Sequence, residues 1–179
     1  MLFVLIFIID NNVYNSVSKK MIGSLHTMSY LKPYTWWNRL FAWFKRYQKY
    51  SIEEQYEKYN VRAFDIHLYF VGENNKTVFK NGSVTYNTFS VYEVLNYLNM
   101  QENVYVRIVL EDTNPNKPKL VLAEKESRFY DYCGKIEQLY SNIKFFGGYR
   151  EFDSKKIYHF KNDCPENVVF YKRVDKLKL

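Results

Sequence analysis

The sequence predicts an α/β fold built on a mainly parallel sheet. Short apolar stretches rich in Val, Ile, Phe and Tyr alternate with segments whose apolar residues recur at helical spacing. The run VRAFDIHLYF at 61–70 is nearly continuously apolar, as is typical of a parallel strand covered on both faces. Alternation of strands and helices is the pattern of βαβ units, so the sheet is expected to be mainly parallel.

The predicted elements follow one another without an internal repeat or a linker. Strands are predicted at 22–25, 61–70, 77–80, 104–111, 143–148 and 167–173. Helices are predicted at 34–48, 51–59, 89–99 and 120–140. Ser51 is a suitable N-cap for the second helix, because Glu53 and Glu54 follow it in the first turn. The polar stretches GENNK and NGS predict turns on either side of the strand at 77–80.

A length of 179 residues predicts one domain, which we place at 21–179. It follows an apolar extension at 1–20. The extension begins MLFVLIFII, which is too short to span a bilayer as a helix and lacks the basic start and small-residue cleavage site of a signal peptide. Three interpretations stay open: an added strand, a degenerate signal, or an upstream extension of the frame with Met21 as the natural start. The last is favoured.

The formal net charge of +7 favours partners that carry phosphate, whether nucleic acid, anionic lipid or a small substrate. No zinc-finger spacing, RRM core or run of five basic residues occurs, so nucleic acid is not the expected partner. Cys133 and Cys164 are isolated, which predicts no zinc site. Two such thiols are typical of a reducing, cytoplasmic compartment, where the protein could still be peripheral to a membrane.

Four polar residues stand out at predicted strand ends or within apolar strands. His26 follows the first strand, Asp65 and His67 lie in the second, and Glu111 ends the fourth. The carboxyl ends of parallel strands meet at one edge, which is where a (β/α) barrel carries its active site. We therefore expect these side chains to share a site. No glycine-rich nucleotide-binding motif follows any strand.

Several stretches, taken in order over 21–112, resemble the X-domain of phosphatidylinositol-specific phospholipase C, within the phospholipase C-like phosphodiesterase superfamily. They are MIGSLHTMSYL, SIEEQYEKYNVRAFDIHLYF, VFKNGSVTYNTFSVYEVLNYL and VYVRIVLED. SIEEQYEKYNVRAFDI is the most specific. The resemblance implies an irregular TIM barrel that cleaves a phosphodiester through a cyclic phosphate. A full barrel usually needs about 250 residues, so we expect this one to be incomplete at its C-terminus.

The resemblance also implies roles for individual residues. His26 matches the general base, which would take a proton from an inositol hydroxyl. Arg62 and Asp65 match the Arg and Asp of the strand motif, and Arg62 is expected to be structural. His67 stands where bacterial members carry a phosphate-neutralising Arg, and could supply positive charge or a proton. His26, Asp65 and His67 are therefore the predicted catalytic residues.

Other positions depart from the family pattern. Thr27 replaces an Asp or Asn, and Asn81 replaces the second catalytic His, although an amide cannot act as a general acid. Thr27, Asn81 and Glu111 are the predicted substrate-binding residues. No cofactor is predicted, but the resemblance allows Ca²⁺ held by oxygens of Asp65, Glu111 and Asp112.

Two functions stay open. The first is a phospholipase C-like phosphoric diester hydrolase or lyase, acting on a phospholipid or glycerophosphodiester by histidine acid/base catalysis. The second is a catalytically degenerate relative that binds phosphorylated headgroups or a protein partner. A basic phosphate- or nucleic-acid-binding module without catalysis is a third, less favoured possibility.

The aromatic helix at 34–48 has two interpretations. Its apolar stripe could pack against the sheet. Alternatively Trp36, Trp37 and Trp43, flanked by Lys32, Arg39, Lys45 and Arg46, could contact an anionic membrane surface.

Overall fold

The structure is a computed structural model that describes residues 20–37, 47–71, 76–86, 90–111 and 119–177. Helices α1, α2 and α3 span Ile52–Tyr59, Val91–Asn99 and Lys119–Leu139. Strands β1 to β7 span Met21–Ser24, Val61–Val71, Lys76–Asn81, Val84–Thr85, Val104–Leu110, Ile143–Arg150 and Val168–Tyr171. Short 3₁₀ helices lie at Thr27–Tyr30 and Val174–Lys176.

The strands form one mixed sheet. Its parallel part runs in the order β6, β5, β2, β1, β7. Strand β1 pairs with β2 only as far as Phe64, and from Leu68 onwards the antiparallel β3 pairs with β2 instead, with β4 on the outer side of β3. The carboxyl ends of β1, β2 and β5 therefore meet at one edge of the sheet.

The predicted TIM barrel is wrong, because the sheet is not closed. Strands β6 and β7 lie at the two ends of the parallel run, and no ladder joins them in the described part of the chain. The segment between them, residues 151–167, forms turns and irregular structure with a single bridge from Tyr149 to Lys156, rather than further strands. The sheet is therefore an open α/β sheet.

The individual strands and helices were predicted well. Each of the six predicted strands and the helices at 51–59, 89–99 and 120–140 is present, with ends shifted by a few residues. Ser51 caps α1 in a capping box, in which its hydroxyl accepts from the Glu54 N–H at 3.3 Å. Of the predicted helix at 34–48, Trp36 and Trp37 are helical, residues 38–46 lie outside the described ranges, and Tyr47 and Gln48 are not helical. Residues 1–19 of the predicted extension also lie outside.

The two faces of β2 differ in chemistry. Phe64, Ile66 and Leu68 have no exposed surface and belong to the hydrophobic core between the sheet and the helices. Asp65 and His67 alternate with them and point to the opposite face, where they too are buried. The near-continuous apolar sequence of this strand correctly predicted burial on both faces, and the polar face carries the candidate site.

Candidate functional site

The chain turns sharply where β1 ends, and His26 makes that turn. Its backbone is left-handed, with φ 46° and ψ 54°, a conformation that costs a side-chain-bearing residue roughly 1–2 kcal/mol. Its N–H donates to Asp65 Oδ2 at 2.9 Å, and its carbonyl accepts from the Ser29 N–H at 2.9 Å. These two bonds offset the strain and hold the imidazole against β2.

His67 is held between two carboxylates. Its Nδ1 lies 2.7 Å from Glu111 Oε2, and its Nε2 lies 3.1 Å from Asp65 Oδ2. Asp65 also accepts from Arg107 Nε at 2.7 Å, because the two residues face each other in the β2–β5 register. Glu111 accepts from the Gly82 N–H at 2.5 Å, which ties the end of β5 to the β3–β4 turn.

The cluster is balanced in charge. Burial alone would lower the pKa of His67, but the Asp65 and Glu111 carboxylates raise it to about 10, so it is an imidazolium near neutral pH. Burial would raise the pKa of Asp65 and of Glu111, but His67 lowers both, and Arg107 further lowers that of Asp65. Two carboxylates thus face two cations, which is what allows Asp65, His67 and Glu111 to be buried with the partly buried Arg107 beside them.

The pKa of His26 is shifted in the opposite direction to that of His67. Burial lowers the pKa of its imidazole to about 4, assisted by the positive charge of His67, so it is neutral near pH 7. Its ring lies 4.2 Å from the His67 ring and stacks on Tyr47 at 4.9 Å, measured between centroids. Its Nδ1 is buried and has no hydrogen-bond partner among the described residues. A neutral imidazole with an unused nitrogen can accept a proton.

A cleft opens beside these rings at the carboxyl edge of the sheet. Its walls include His26, Asp65, His67, Lys80, Asn81 and Tyr86. As formed by the described residues, it leaves room for about one water molecule. A ligand larger than water would therefore bind at its mouth or with the walls moved apart.

Two buried glutamines brace the loop that carries His26. The Gln48 amide donates to the carbonyls of Leu25 at 3.0 Å and Tyr171 at 2.9 Å. The Gln55 side chain accepts from Ser24 Oγ at 2.5 Å and donates to the Thr27 carbonyl at 3.3 Å. Both glutamine side chains are fully buried, so their hydrogen bonds fix this loop relative to α1 and β7.

The structure brings together most of the residues chosen from the sequence. His26, Asp65 and His67 are mutual neighbours, Glu111 binds His67, and Asn81 lines the cleft. Thr27 lies behind them, with its hydroxyl donating to the Ser24 carbonyl at 3.0 Å and accepting from the Asp65 N–H at 2.9 Å.

Sequence reasoning missed Arg107, Lys80 and Tyr86. Arg107 left a usable signal, because it is a charged residue inside the apolar strand VYVRIVL, beside a strand that contains a buried acid. Lys80 and Tyr86 enter the cleft through the β3–β4 hairpin, whose pairing with β2 the sequence does not reveal. Arg62 lies apart from the cluster: it donates to the Tyr56 and Val61 carbonyls and stacks on the Tyr56 ring.

The donor set does not suit Ca²⁺. One donor atom from each of His26, Asp65 and His67 lies within 4.8 Å of the other two, but two of these donors are imidazole nitrogens, whereas Ca²⁺ takes six to eight oxygens. The oxygens of Asp65 and Glu111 already accept from His67, Arg107 and backbone N–H groups. The third expected ligand, Asp112, lies outside the described residues.

A patch of exposed aromatic side chains follows the first 3₁₀ helix. Tyr34, Trp36 and Trp37 are each more than half exposed, and the two tryptophan rings stack at 3.7 Å. Pro33 bridges to Tyr86, which anchors this segment beside the cleft. Trp43 lies outside the described residues. None of the described helices has both the length and the apolar character to cross a bilayer.

No protein-family model and no curated protein matches the chain. Among solved structures, it is similar to phosphatidylinositol-specific phospholipase C from Listeria monocytogenes, with a TM-score of 0.49 and 16% sequence identity. The matched region covers 74% of this chain and 50% of that one, so the chain spans about half the length of that protein. A likeness this distant does not establish an activity.

Proposed function

We propose that this chain is a phospholipase C-like phosphodiesterase in which His26 is the general base. One observation carries the proposal: the neutral imidazole of His26, whose Nδ1 has no partner in the described part of the chain, lies at the wall of a cleft, 4.2 Å from a buried imidazolium. A base beside a cation suits attack on a phosphodiester, which needs a hydroxyl to lose a proton and an anionic phosphate to be tolerated.

The mechanism begins with a hydroxyl of the substrate that neighbours the phosphate. His26 takes its proton as the oxygen attacks phosphorus, which forms a cyclic phosphate and expels the alcohol. A base with a pKa of about 4 is weak in the free protein. A bound phosphodiester would bring a negative charge next to both imidazoles, and that charge raises the pKa of His26 towards the working pH.

The carboxylates have a positioning role in this scheme. Asp65 holds the backbone of His26 and, together with Glu111, keeps His67 charged and fixed in orientation. His67 then acts through its charge, because both of its ring nitrogens face carboxylates. Arg107 adds a second positive charge behind Asp65.

The test is turnover of phosphatidylinositol vesicles, with and without EDTA. His26→Ala and His26→Asn should each lower the rate roughly 10²–10⁴-fold, the usual contribution of a general base. Asn tolerates the left-handed backbone and so separates chemistry from strain. His159→Ala, at an exposed histidine away from the cluster, is the matched control and should retain the wild-type rate. Equal rates for wild type and both His26 variants would exclude the assignment.

The exposed aromatic patch supports a lipid substrate. Stacked tryptophans next to a cleft are suited to the interfacial zone of a bilayer, and the chain's net charge of +7 favours anionic lipid. We expect the double variant Trp36→Ala, Trp37→Ala to sediment less with phosphatidylinositol-containing vesicles, while Tyr130→Ala, at another exposed aromatic, sediments like wild type. Unchanged sedimentation of the double variant would remove this patch from the proposal.

A second candidate function is binding without catalysis. Two observations favour it: the His67 ring has no nitrogen directed at the cleft, and Asn81 offers only an amide. A chain of this kind would bind vesicles that carry phosphorylated headgroups but produce no cyclic phosphate. Vesicle binding that survives His26→Asn, with no turnover by wild type, would decide for this function.

A further inference from the structure

Cleavage of a phosphodiester needs a proton donor opposite the base, because the expelled alkoxide is a poor leaving group until it is protonated. His67 cannot serve, since its Nδ1 and Nε2 are directed at Glu111 and Asp65. Asn81 cannot serve either, because an amide does not give up a proton at neutral pH. The proton donor must therefore be another residue that lines the cleft.

Lys80 and Tyr86 both line the cleft and both carry an acidic proton. They differ in access to water. Tyr86 is only 2% exposed, and its hydroxyl oxygen is buried. Lys80 is half-buried, so its ammonium can exchange protons with solvent after each turnover.

The sheet brings Lys80 to His67. Leu68 pairs with Phe79 in the antiparallel β2–β3 ladder, so the next two positions, His67 and Lys80, are neighbours on the polar face. The Lys80 ammonium lies 4.1 Å from the centre of the Tyr69 ring, and Tyr69 follows His67 on the same face of β2. This cation–π contact holds a flexible side chain beside the cleft.

We propose that Lys80 is the general acid of this site and protonates the leaving alcohol. The assignment rests on the phosphodiesterase function proposed above, and it supplies the acid that Asn81 and His67 cannot. The ammonium would also neutralise charge on the phosphate as it approaches the cleft.

The proposed reaction consists of two proton transfers and one substitution at phosphorus. A ring nitrogen of His26 takes the proton of the attacking hydroxyl while its oxygen forms a bond to phosphorus. The bond from phosphorus to the leaving oxygen breaks, and its electron pair stays on that oxygen, which takes one proton from the Lys80 ammonium. His26 is left as an imidazolium and Lys80 as an amine, and transfer of one proton from the first to the second through water restores both.

The experiment compares two substrates with the same inositol phosphate half. In phosphatidylinositol the leaving group is an alkoxide, which must be protonated by the acid. In the p-nitrophenyl ester of inositol phosphate the leaving group is p-nitrophenolate, which is stable without a proton. Lys80→Met should slow turnover of phosphatidylinositol roughly 10²–10⁴-fold and that of the nitrophenyl ester less than about tenfold. Activity on the ester also shows that the variant is folded with an intact base.

Two further variants test whether Lys80 acts by donating a proton rather than through its charge, and whether its position matters. Lys80→Arg keeps a cation that cannot be deprotonated, so it should remain defective on phosphatidylinositol. Lys125→Met removes the other ammonium that lies over the Tyr69 ring, at 4.0 Å, and should leave both rates near wild type.

The outcomes distinguish failure of the acid role from failure of the phosphodiesterase function. Equal losses of Lys80→Met on both substrates, or full activity of Lys80→Arg on the lipid, overturn the acid role while the phosphodiesterase function stands. Absence of turnover of either substrate by wild type removes the proposed function, and the acid role with it.

Discussion

Between Phe64 and Leu68 the two faces of β2 are buried to the same extent and are built in different ways. Phe64, Ile66 and Leu68 on one face have no exposed surface, and Asp65 and His67 on the other are 0% and 4% exposed. Exposure therefore does not distinguish the core from the candidate site. The difference lies in the partners: apolar side chains and helices on one face, and specific charged atoms on the other.

This difference sets what each face is sensitive to. The apolar face depends on volume, because removed atoms leave a cavity whose cost does not change with pH. The polar face depends on charge, because a buried carboxylate or imidazolium is tolerated only while its partner is present and ionised. A single strand thus combines a structural face with a titratable one, and variants on the two faces should respond differently to pH.

The largest effect is expected on the apolar face. Phe64→Ala should lower the free energy of unfolding by about 3–5 kcal/mol, by the same amount at pH 6 and pH 9, measured by urea denaturation. Phe152→Ala is the matched control, because Phe152 is 39% exposed and should cost less than about 1 kcal/mol. A cost for Phe64→Ala that shrank or grew with pH would show that the two faces are not independent.

The apolar face could be read from the sequence almost completely. The apolar runs at 61–70 and 104–111, the helical spacing in 89–99 and the Ser51 cap are local patterns, and the structure has the predicted strands, helix and cap. Closure of the sheet could not be predicted in the same way, because it depends on long-range pairing between strands that lie far apart in the sequence. The barrel was inferred from a resemblance, and the open sheet corrects it.

The polar face was only half predictable. His26 and Glu111 could be proposed from their places at strand ends, and Asp65 and His67 as polar residues within an apolar strand, because parallel strands bring such positions together at one edge. The opposite pKa shifts of the two histidines could not be foreseen. They depend on which ring nitrogens contact the carboxylates directly, as those of His67 do, and on how strongly burial acts on the His26 ring. Lys80 was hidden for a similar reason: its place is set by the register of β3 against β2, which is a long-range property of the fold.

A smaller effect, with a pH dependence, is expected at His67. Its pKa is about 10 in the folded chain and near 6.5 when unfolded, so the stability it contributes is fully present below pH 6.5 and is lost as the pH rises through 10. The destabilisation caused by His67→Gln should therefore shrink by about 3–4 kcal/mol between pH 6.5 and pH 10, measured by urea denaturation. Glu111→Gln should reduce that pH dependence, because one of the two stabilising carboxylates is gone.

A destabilisation by His67→Gln that stayed constant over this pH range would mean that His67 is neutral in the folded chain. The charge-balanced description of the cluster would then be wrong, and the cation beside His26 would be absent.

The smallest effect is expected at His26, and it has the opposite sign. Its pKa is about 4 in the folded chain and near 6.5 when unfolded, so between these values the unfolded chain binds more protons and the native state loses stability as the pH falls. His26→Asn removes that penalty. Relative to wild type, the variant should gain about 2–3 kcal/mol between pH 7 and pH 4, measured by urea denaturation.

His159→Asn controls for the loss of one titratable histidine from the sequence, and the asparagine at position 26 keeps the left-handed backbone. A relative stability of His26→Asn that was flat from pH 7 to pH 4 would mean that His26 titrates alike in both states. Burial and the imidazolium next to it would then not act on this ring. Two histidines 4.2 Å apart that respond to pH in opposite directions are what a neutral base beside a fixed cation requires.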